Sequence, residues 1–227
     1  MASTLATLRA QCRALLASTT DWPDATLDKF IADAIRLYST RFPRKWRHTI
    51  TLATGTQTYA LPGGHDIADI LSVEYPAGED PPEFIYPVEP DSQAFADGEE
   101  VYAFVAVADS VAIGSDTVAG YIQFAETVAT GETAIVTYHG THAIPTAADD
   151  NAQITVPAAH WEALIAFVDF RCHWELETDK AYTISDTTIA LSQLGENGRR
   201  AWNRYRELMG LYAANDSRSK VIAWKMP

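Results

Sequence analysis

Leu5, Leu8, Cys12, Leu15 and Leu16 recur at helical spacing, which predicts a first helix over Thr4–Ala17. Asp21-Trp22-Pro23 has the form of a helix start, with Asp21 as the cap and Pro23 in the first turn. Leu27, Phe30, Ile31, Ile35 and Tyr38 then define a second amphipathic helix. It should stop before Pro43, because the residue ahead of a proline avoids helical geometry. From Thr49 the period falls to two. Thr49-Ile50-Thr51-Leu52 alternates, Thr54-Gly55 reads as a turn, and Gln57, Tyr59 and Leu61 alternate with Thr58 and Ala60, a pattern that predicts a β-hairpin closed by Pro62-Gly63-Gly64.

Further strands are predicted over Asp69–Tyr75, Val101–Val107, Val111–Ile113, Ala119–Phe124 and Thr133–Tyr138, with loops at Gly78–Pro82 and Asp97–Glu100. Val101–Val107 is apolar on both faces and should be buried either in the sandwich or against a neighbouring subunit. Val156-Pro157 opens a third helix. One of its faces is Trp161, Leu164, Ile165, Val168 and Cys172, and a second is Phe167, Phe170 and Trp174. A helix apolar on two faces is covered on two sides, so Phe167, Phe170 or Trp174 should meet another helix or a neighbouring subunit. Trp202, Tyr205, Met209 and Tyr212 mark a fourth helix after a stretch broken by Gly195 and Gly198, and Gly210 to Asn215 should end it.

Helices therefore flank a β-rich insert. The predicted class is α+β, a helical bundle formed by the N- and C-terminal helices with an inserted antiparallel β-sandwich or small barrel-like module. The divisions are an N-terminal helical hairpin (1–48), the β insert (49–157), the C-terminal helices completing the helical body (158–215) and a tail (216–227).

Charge sharpens this partition. No Lys or Arg occurs between Thr49 and Pro157, where seventeen Asp and Glu stand, and the three stretches carry formal charges of +4, −17 and 0 within a total of −13. Such a segment repels polyanions. It reads either as an acidic solvated surface or as a surface that must lie near nucleic acid without holding it. The tail differs again, mixing Arg218, Lys220 and Lys225 with Val221, Ile222, Trp224 and Met226. It reads as a frayed terminus or as a docking segment, because burial favours an exposed Val-Ile-Ala-Trp run and Trp is enriched among interface anchors.

Candidate chemistry is sparse. The chain has no Walker loop, Gly-x-Gly-x-x-Gly, Gly-x-Ser-x-Gly, Cys-x-x-Cys or His-Glu-x-x-His. His139 and His142 give two imidazoles, short of the three or four ligands of a zinc site, so no metal and no cofactor are expected. Cys172 and His173 adjoin on a helix and point apart, the first to the core and the second to the surface. The two cysteines, Cys12 and Cys172, suit buried thiols in a reducing cytoplasm. The acid pairs Glu79-Asp80, Glu99-Glu100 and Asp149-Asp150 suit solvated turns better than a glycosidase cleft. Arg41, Arg44, Lys45 and Arg47 cluster around Trp46, as a patch for phosphate, for acids of another subunit, or for a helix C-terminus. No apolar run approaches the roughly 20 residues of a membrane span, and the N-terminal segment lacks a hydrophobic signal core.

The order of parts resembles a known family. Two helices run into RFPRKWRHTITLATGTQTYALP, an acidic β insert follows, and VPAAHWEALIAFVDFRCHWELE leads to a long aromatic and basic helix. This is similar to the head-to-tail adaptor proteins of tailed bacteriophages, with Tyr59-Ala60-Leu61-Pro62 closing the first hairpin and Val156-Pro157 starting the return helix. The resemblance implies a structural virion protein without catalysis. It would be made in the host cytoplasm and form a ring, twelve-fold in the family, at the head-tail junction. The tail residues Arg218, Lys220, Val221, Ile222, Trp224, Lys225 and Met226 would dock on the portal. The β-module would meet the next tail component, a nozzle, stopper or tube, and DNA would pass without specific binding. Two other classes remain, a receptor- or fibre-binding tail protein, which would expose aromatics on the β-module, and a virion-associated cell-wall hydrolase, which would converge acids in a pocket.

Overall fold

Thr4 accepts the Thr7 amide on its side chain and starts α1, Leu5–Leu15. The helix's first amides, which have no partner within a helix, are taken up by the returning chain: Leu5 N donates to Ala152 O at 2.9 Å and Ala6 N to Asp150 O at 3.2 Å. The structure is a computed structural model that describes residues 4–16, 22–62, 67–98, 101–113, 116–125, 131–145, 149–183 and 188–223. Two units divide the chain, Met1–Tyr38 with Ile144–Pro227, and Ser39–Ala143. The divisions thus fall ten or more residues before those read from charge.

The first unit is helical. Beside α1 it contains most of α2, Asp24–Arg41, then α4, Trp161–Thr183, and α5, Thr188–Ala223. A 3-10 turn, Ala158–His160, precedes α4, and Trp161 Nε1 donates to Val156 O at 3.1 Å across that start. Most of the apolar faces read from the sequence are buried: Leu5, Leu8 and Cys12 of α1, Leu27, Phe30, Ile31 and Ile35 of α2, and Leu164, Val168 and Cys172 of α4; Ile165 is half-buried, and Leu15, placed on the same face of α1, is 52% exposed. Both cysteines are free thiols. Arg9 of α1 is buried and makes a bidentate pair with the buried Asp28 of α2 at 2.8 and 2.9 Å, with a third contact to Asp150 at 2.8 Å.

Two expectations about α5 are corrected. The stretch with Gly195 and Gly198 is helical, because Gly198 is buried at a close approach to α4, where an added Cβ would lie 3.5 Å from His173 Cβ. The helix also continues past Gly210–Asn215 to Ala223. Gly210 meets no neighbour, and a single exposed glycine costs a helix only about 1 kcal/mol, which a following Tyr-Ala-Ala run tolerates.

The second unit is one seven-stranded, nearly closed, barrel-like sheet of order β1-β7-β3-β4-β5-β6-β2. The strands are β1 Arg44–Thr51, β2 Thr58–Pro62, β3 Ile67–Glu74, β4 Phe84–Pro87, β5 Val101–Ile113, β6 Asp116–Phe124 and β7 Thr133–Gly140, with a one-turn helix α3, Gln93–Ala96, between β4 and β5. All neighbours are antiparallel except β4 and β5, which are parallel. The core is Ile50, Leu52, Leu61, Val73, Ile85, Tyr102, Ile122, Phe124, Ala134, Val136 and Tyr138. The two-sheet sandwich alternative is therefore set aside for the barrel-like form.

The predicted hairpin does not form. The turn is real, with Thr56 N donating to Ala53 O at 3.0 Å and Gly55 at φ 81, but its arms go to opposite ends of the strand order. β1 pairs with β7 from Arg44↔Gly140 to Thr51↔Thr133, and β2 pairs with β6 from Thr58↔Gln123. Tyr59 fixes the turn: its hydroxyl donates to Thr56 O at 2.8 Å and accepts from Ala53 N at 2.8 Å. Val101–Val107 and Val111–Ile113 are one long strand whose pairing with β6 slips between Ala106 and Val111.

Candidate assembly surfaces

On α4 the second apolar face continues into α5 as an aromatic seam. Phe167 is buried and lies edge-on to Tyr205 at 5.6 Å; Phe170 meets Trp202 at 5.1 Å, and Trp202 stacks on Tyr205 at 5.4 Å. Phe167 and Phe170 are thus met by a helix of their own chain. Trp174 lies 6.1 Å from Phe170 and is 57% exposed. Phe170, Trp174, Gly195, Gly198, Arg199 and Trp202 line an apolar groove of about 420 Å³. The glycines make it: large side chains there would fill the space beside the rings.

Of the cation cluster, Arg41 ends α2, whereas Arg44, Lys45 and Arg47 lie on a strand and not at a helix end. Lys45 and Arg47 share the exposed face of β1, while Arg44 lies on the other face 4.3 Å above the Trp46 ring, and Arg47 pairs with Glu74 of β3 at 3.1 Å. Lys45 stands opposite His139 of β7, and His139 in turn pairs with Asp69 at 3.1 Å. His142, three residues on, is buried, with its ring bonded to Phe42 O at 3.2 Å and its amide donating to Ser39 Oγ at 3.0 Å. The two imidazoles therefore do not converge, and no group of three or more His, Cys, Asp or Glu able to hold a metal occurs among the described residues.

The remaining titratable groups serve the interior. Burial, reinforced by the charge of Asp169, pushes the Cys12 thiol up to about 12, and burial pushes Cys172 up as well. Neither is a nucleophile at neutral pH. His173 is half-buried under Gly198, not on the surface, and its hydrogen bond to Asp169 raises its pKa. His160 stacks on Tyr212 at 4.0 Å and shares a 2.5 Å hydrogen bond with Tyr38, and burial lowers its pKa. The carboxylates of a second groove, between α1 and α4, are Glu162 and Asp169. They lie two helical turns apart and pair with Arg204 and His173, an arrangement unlike a hydrolase dyad.

Of the acid pairs, Glu79 and Asp80 are exposed, Asp150 pairs with Arg9, and Glu99-Glu100 lies outside the described residues. Of the tail residues, Arg218, Lys220, Val221 and Ile222 lie on the last turns of α5, while Trp224, Lys225 and Met226 lie outside the described residues. The sequence reading missed β4. Its signal is the short apolar alternation Phe84-Ile85-Tyr86, confined between Pro82 and Pro87. Ile85 points to the core and its neighbours point out, Phe84 at 51% and Tyr86 at 73% exposure. No helix among the described residues is long and apolar enough to cross a membrane.

Comparison with known proteins returns one family model, described as SU10 adaptor protein, over residues 3–221. No curated protein matches the chain.

Proposed function

The chain belongs to the SU10 adaptor family, the phage head-to-tail adaptors, and from that premise we propose that it forms a ring, twelve-fold as in the adaptors it resembles, between the portal and the tail. The family is structural rather than catalytic and places the chain in a virion. In the ring reading, the C-terminal segment docks on the portal through Arg218, Lys220, Val221, Ile222, Trp224, Lys225 and Met226. The β-unit meets the next tail component, and DNA passes through the ring without specific contacts.

The observation that carries side-by-side assembly is the aromatic seam of α4, which ends at a Trp174 that is 57% exposed. Phe167 and Phe170 are satisfied by α5, but the seam runs on to Trp174 beside a glycine-floored groove. Covering the exposed part of this ring and the groove beside it with a neighbouring copy would remove apolar area from water. The test is sedimentation with purified portal. Trp174→Glu should reduce assembly, because it would place a charge where apolar area is to be buried. Deletion of Val221–Pro227 should abolish capture by the portal while leaving the melting transition in place. If the deletion variant still joins the portal with unchanged affinity, the docking role of the tail is wrong.

The exposed Phe84 and Tyr86 favour a second reading, a fibre- or receptor-binding tail protein with aromatics displayed on the β-unit. Binding to host cells by the isolated chain, abolished in Phe84→Ser/Tyr86→Ser, would support it over the ring.

A further inference from the structure

The β-unit has two surfaces that its own core leaves unused, and they are chemically complementary. The first is the β1 end of the sheet. All four cations of Ser39–Ala143, namely Arg41, Arg44, Lys45 and Arg47, stand on β1 or within three residues of it, against fifteen Asp and Glu in the same unit. Arg47 is paired with Glu74, and Arg44 is held flat over Trp46. Arg41 and Lys45 are exposed and make no ion pair among the described residues. β1 terminates the strand order, and among the described strands it forms a ladder with β7 alone. Cations along an edge strand discourage indiscriminate pairing with other chains, and they also select an acidic partner.

The second surface is β4 with its flanks. Among the described residues of this unit, the large apolar side chains that remain exposed are Leu71 of β3 and Phe84 and Tyr86 of β4. Phe84 stands opposite Glu74, and the exposed Glu79, Asp80, Glu83, Glu89 and Asp91 flank the strand along the chain. Aromatic faces ringed by carboxylates suit guanidinium and ammonium groups, which gain from both the ring quadrupole and the charge.

We infer that the cationic β1 edge of one copy docks on the acid-rimmed aromatic strand β4 of the next. β7 and β3 lie between β1 and β4 in the strand order, and Arg47, which reaches across to β3, is already held by Glu74, so Arg41 and Lys45 are the cations left for a second copy. A contact between two different patches of identical chains is heterologous, and such contacts form a ring where the rotation between copies closes. The inference rests on the ring reading above and adds to it a second layer of contact, made by the β-units.

Charge exchange tests it on the full-length chain. Arg41→Glu/Lys45→Glu puts acids on both surfaces, and Glu83→Lys/Glu89→Lys puts cations on both. Each variant alone should self-associate at least about tenfold more weakly than wild type by sedimentation velocity, since like charges are juxtaposed at the contact. An equimolar mixture of the two should recover wild-type association, because each reversed patch then meets its complement. Phe84→Ser/Tyr86→Ser should weaken association with no rescue by either partner. All substituted positions are exposed, and an unchanged circular dichroism melt verifies folding. Wild-type protein that stays monomeric throughout, variants that associate like wild type, or a mixture without rescue would each overturn the inference. Salt-dependent retention on DNA that Arg41→Glu/Lys45→Glu abolishes would assign the strand to phosphate and overturn it too. Portal capture is measured on the same samples: its loss in wild type counts against the adaptor reading, whereas intact capture with no charge rescue counts against this contact alone.

Discussion

Arg9 organises the polar interior of the helical unit. Its pKa is raised, chiefly by the hydrogen bonds to Asp28, whose carboxylate is itself buried at 4% exposure. Asp150 is exposed, so that arm of the network contributes at most about 1 kcal/mol. Arg9→Leu would strand Asp28 without a partner and should cost about 3–5 kcal/mol in urea denaturation. Adding Asp28→Leu should recover most of the loss, because a buried pair replaced by apolar residues is often neutral. Two histidines give opposite pH dependences. His160 has a lowered pKa in the fold, so the unfolded chain takes up the proton first. Its contribution is complete above about pH 6.5 and is lost as pH falls toward the folded value. His173 has a raised pKa, so its contribution is complete below about pH 6.5 and is lost as pH rises through the folded value. Melting temperature against pH should show a shallower acid limb in His160→Gln and a shallower fall above neutrality in His173→Gln.

At the scale of elements, α5 contains two glycines with different tasks. Gly210 faces open space, so Gly210→Ala should stabilise by about 0.5–1 kcal/mol through helix propensity alone. Gly198 sits where α4 approaches, and Gly198→Val should destabilise by forcing its branches into His173. Denaturant midpoints of the two variants should move in opposite directions. The same helix shows what periodicity can and cannot convey. The faces of α1, α2 and α4 follow from spacing alone, because a buried stripe must repeat every 3.6 residues. The two glycines look like breakers in one dimension, and only the packed neighbour reveals Gly198 as a contact. In the β-unit, alternation located most strands but not their partners. Ala53–Thr56 has the composition of a hairpin turn, yet the pairing of β1 is decided by β7, some ninety residues away. β4 is too short to carry a reliable period, and for that reason Phe84 and Tyr86 escaped notice. Of the surfaces, Trp174 was legible as a second apolar face on its helix, and the cation cluster was legible as composition although its strand was not.

For the whole molecule the dominant quantity is charge. The β-unit carries −11 and the helical unit −2, within the −13 of the chain. Polyelectrolyte binding needs cations to displace counterions from phosphate, and the four cations of the β-unit are outnumbered and confined to one end of the sheet. Full-length protein should therefore elute unretained from immobilised duplex DNA even at low salt, and salt-sensitive retention would contradict a surface built to let DNA pass. The strand order also governs how the chain reaches this state. β1 is made early and its partner β7 late, so Arg44 waits for Gly140 before its first ladder bond can form. Contacts of such long range slow folding, because loop closure precedes any gain from pairing. During synthesis β1 must therefore spend seconds as an unpaired eight-residue segment, at ribosomal rates of roughly 5–20 residues per second. Arg44, Lys45 and Arg47 should guard that interval, because like charges on the same strand of two nascent copies oppose its pairing with itself.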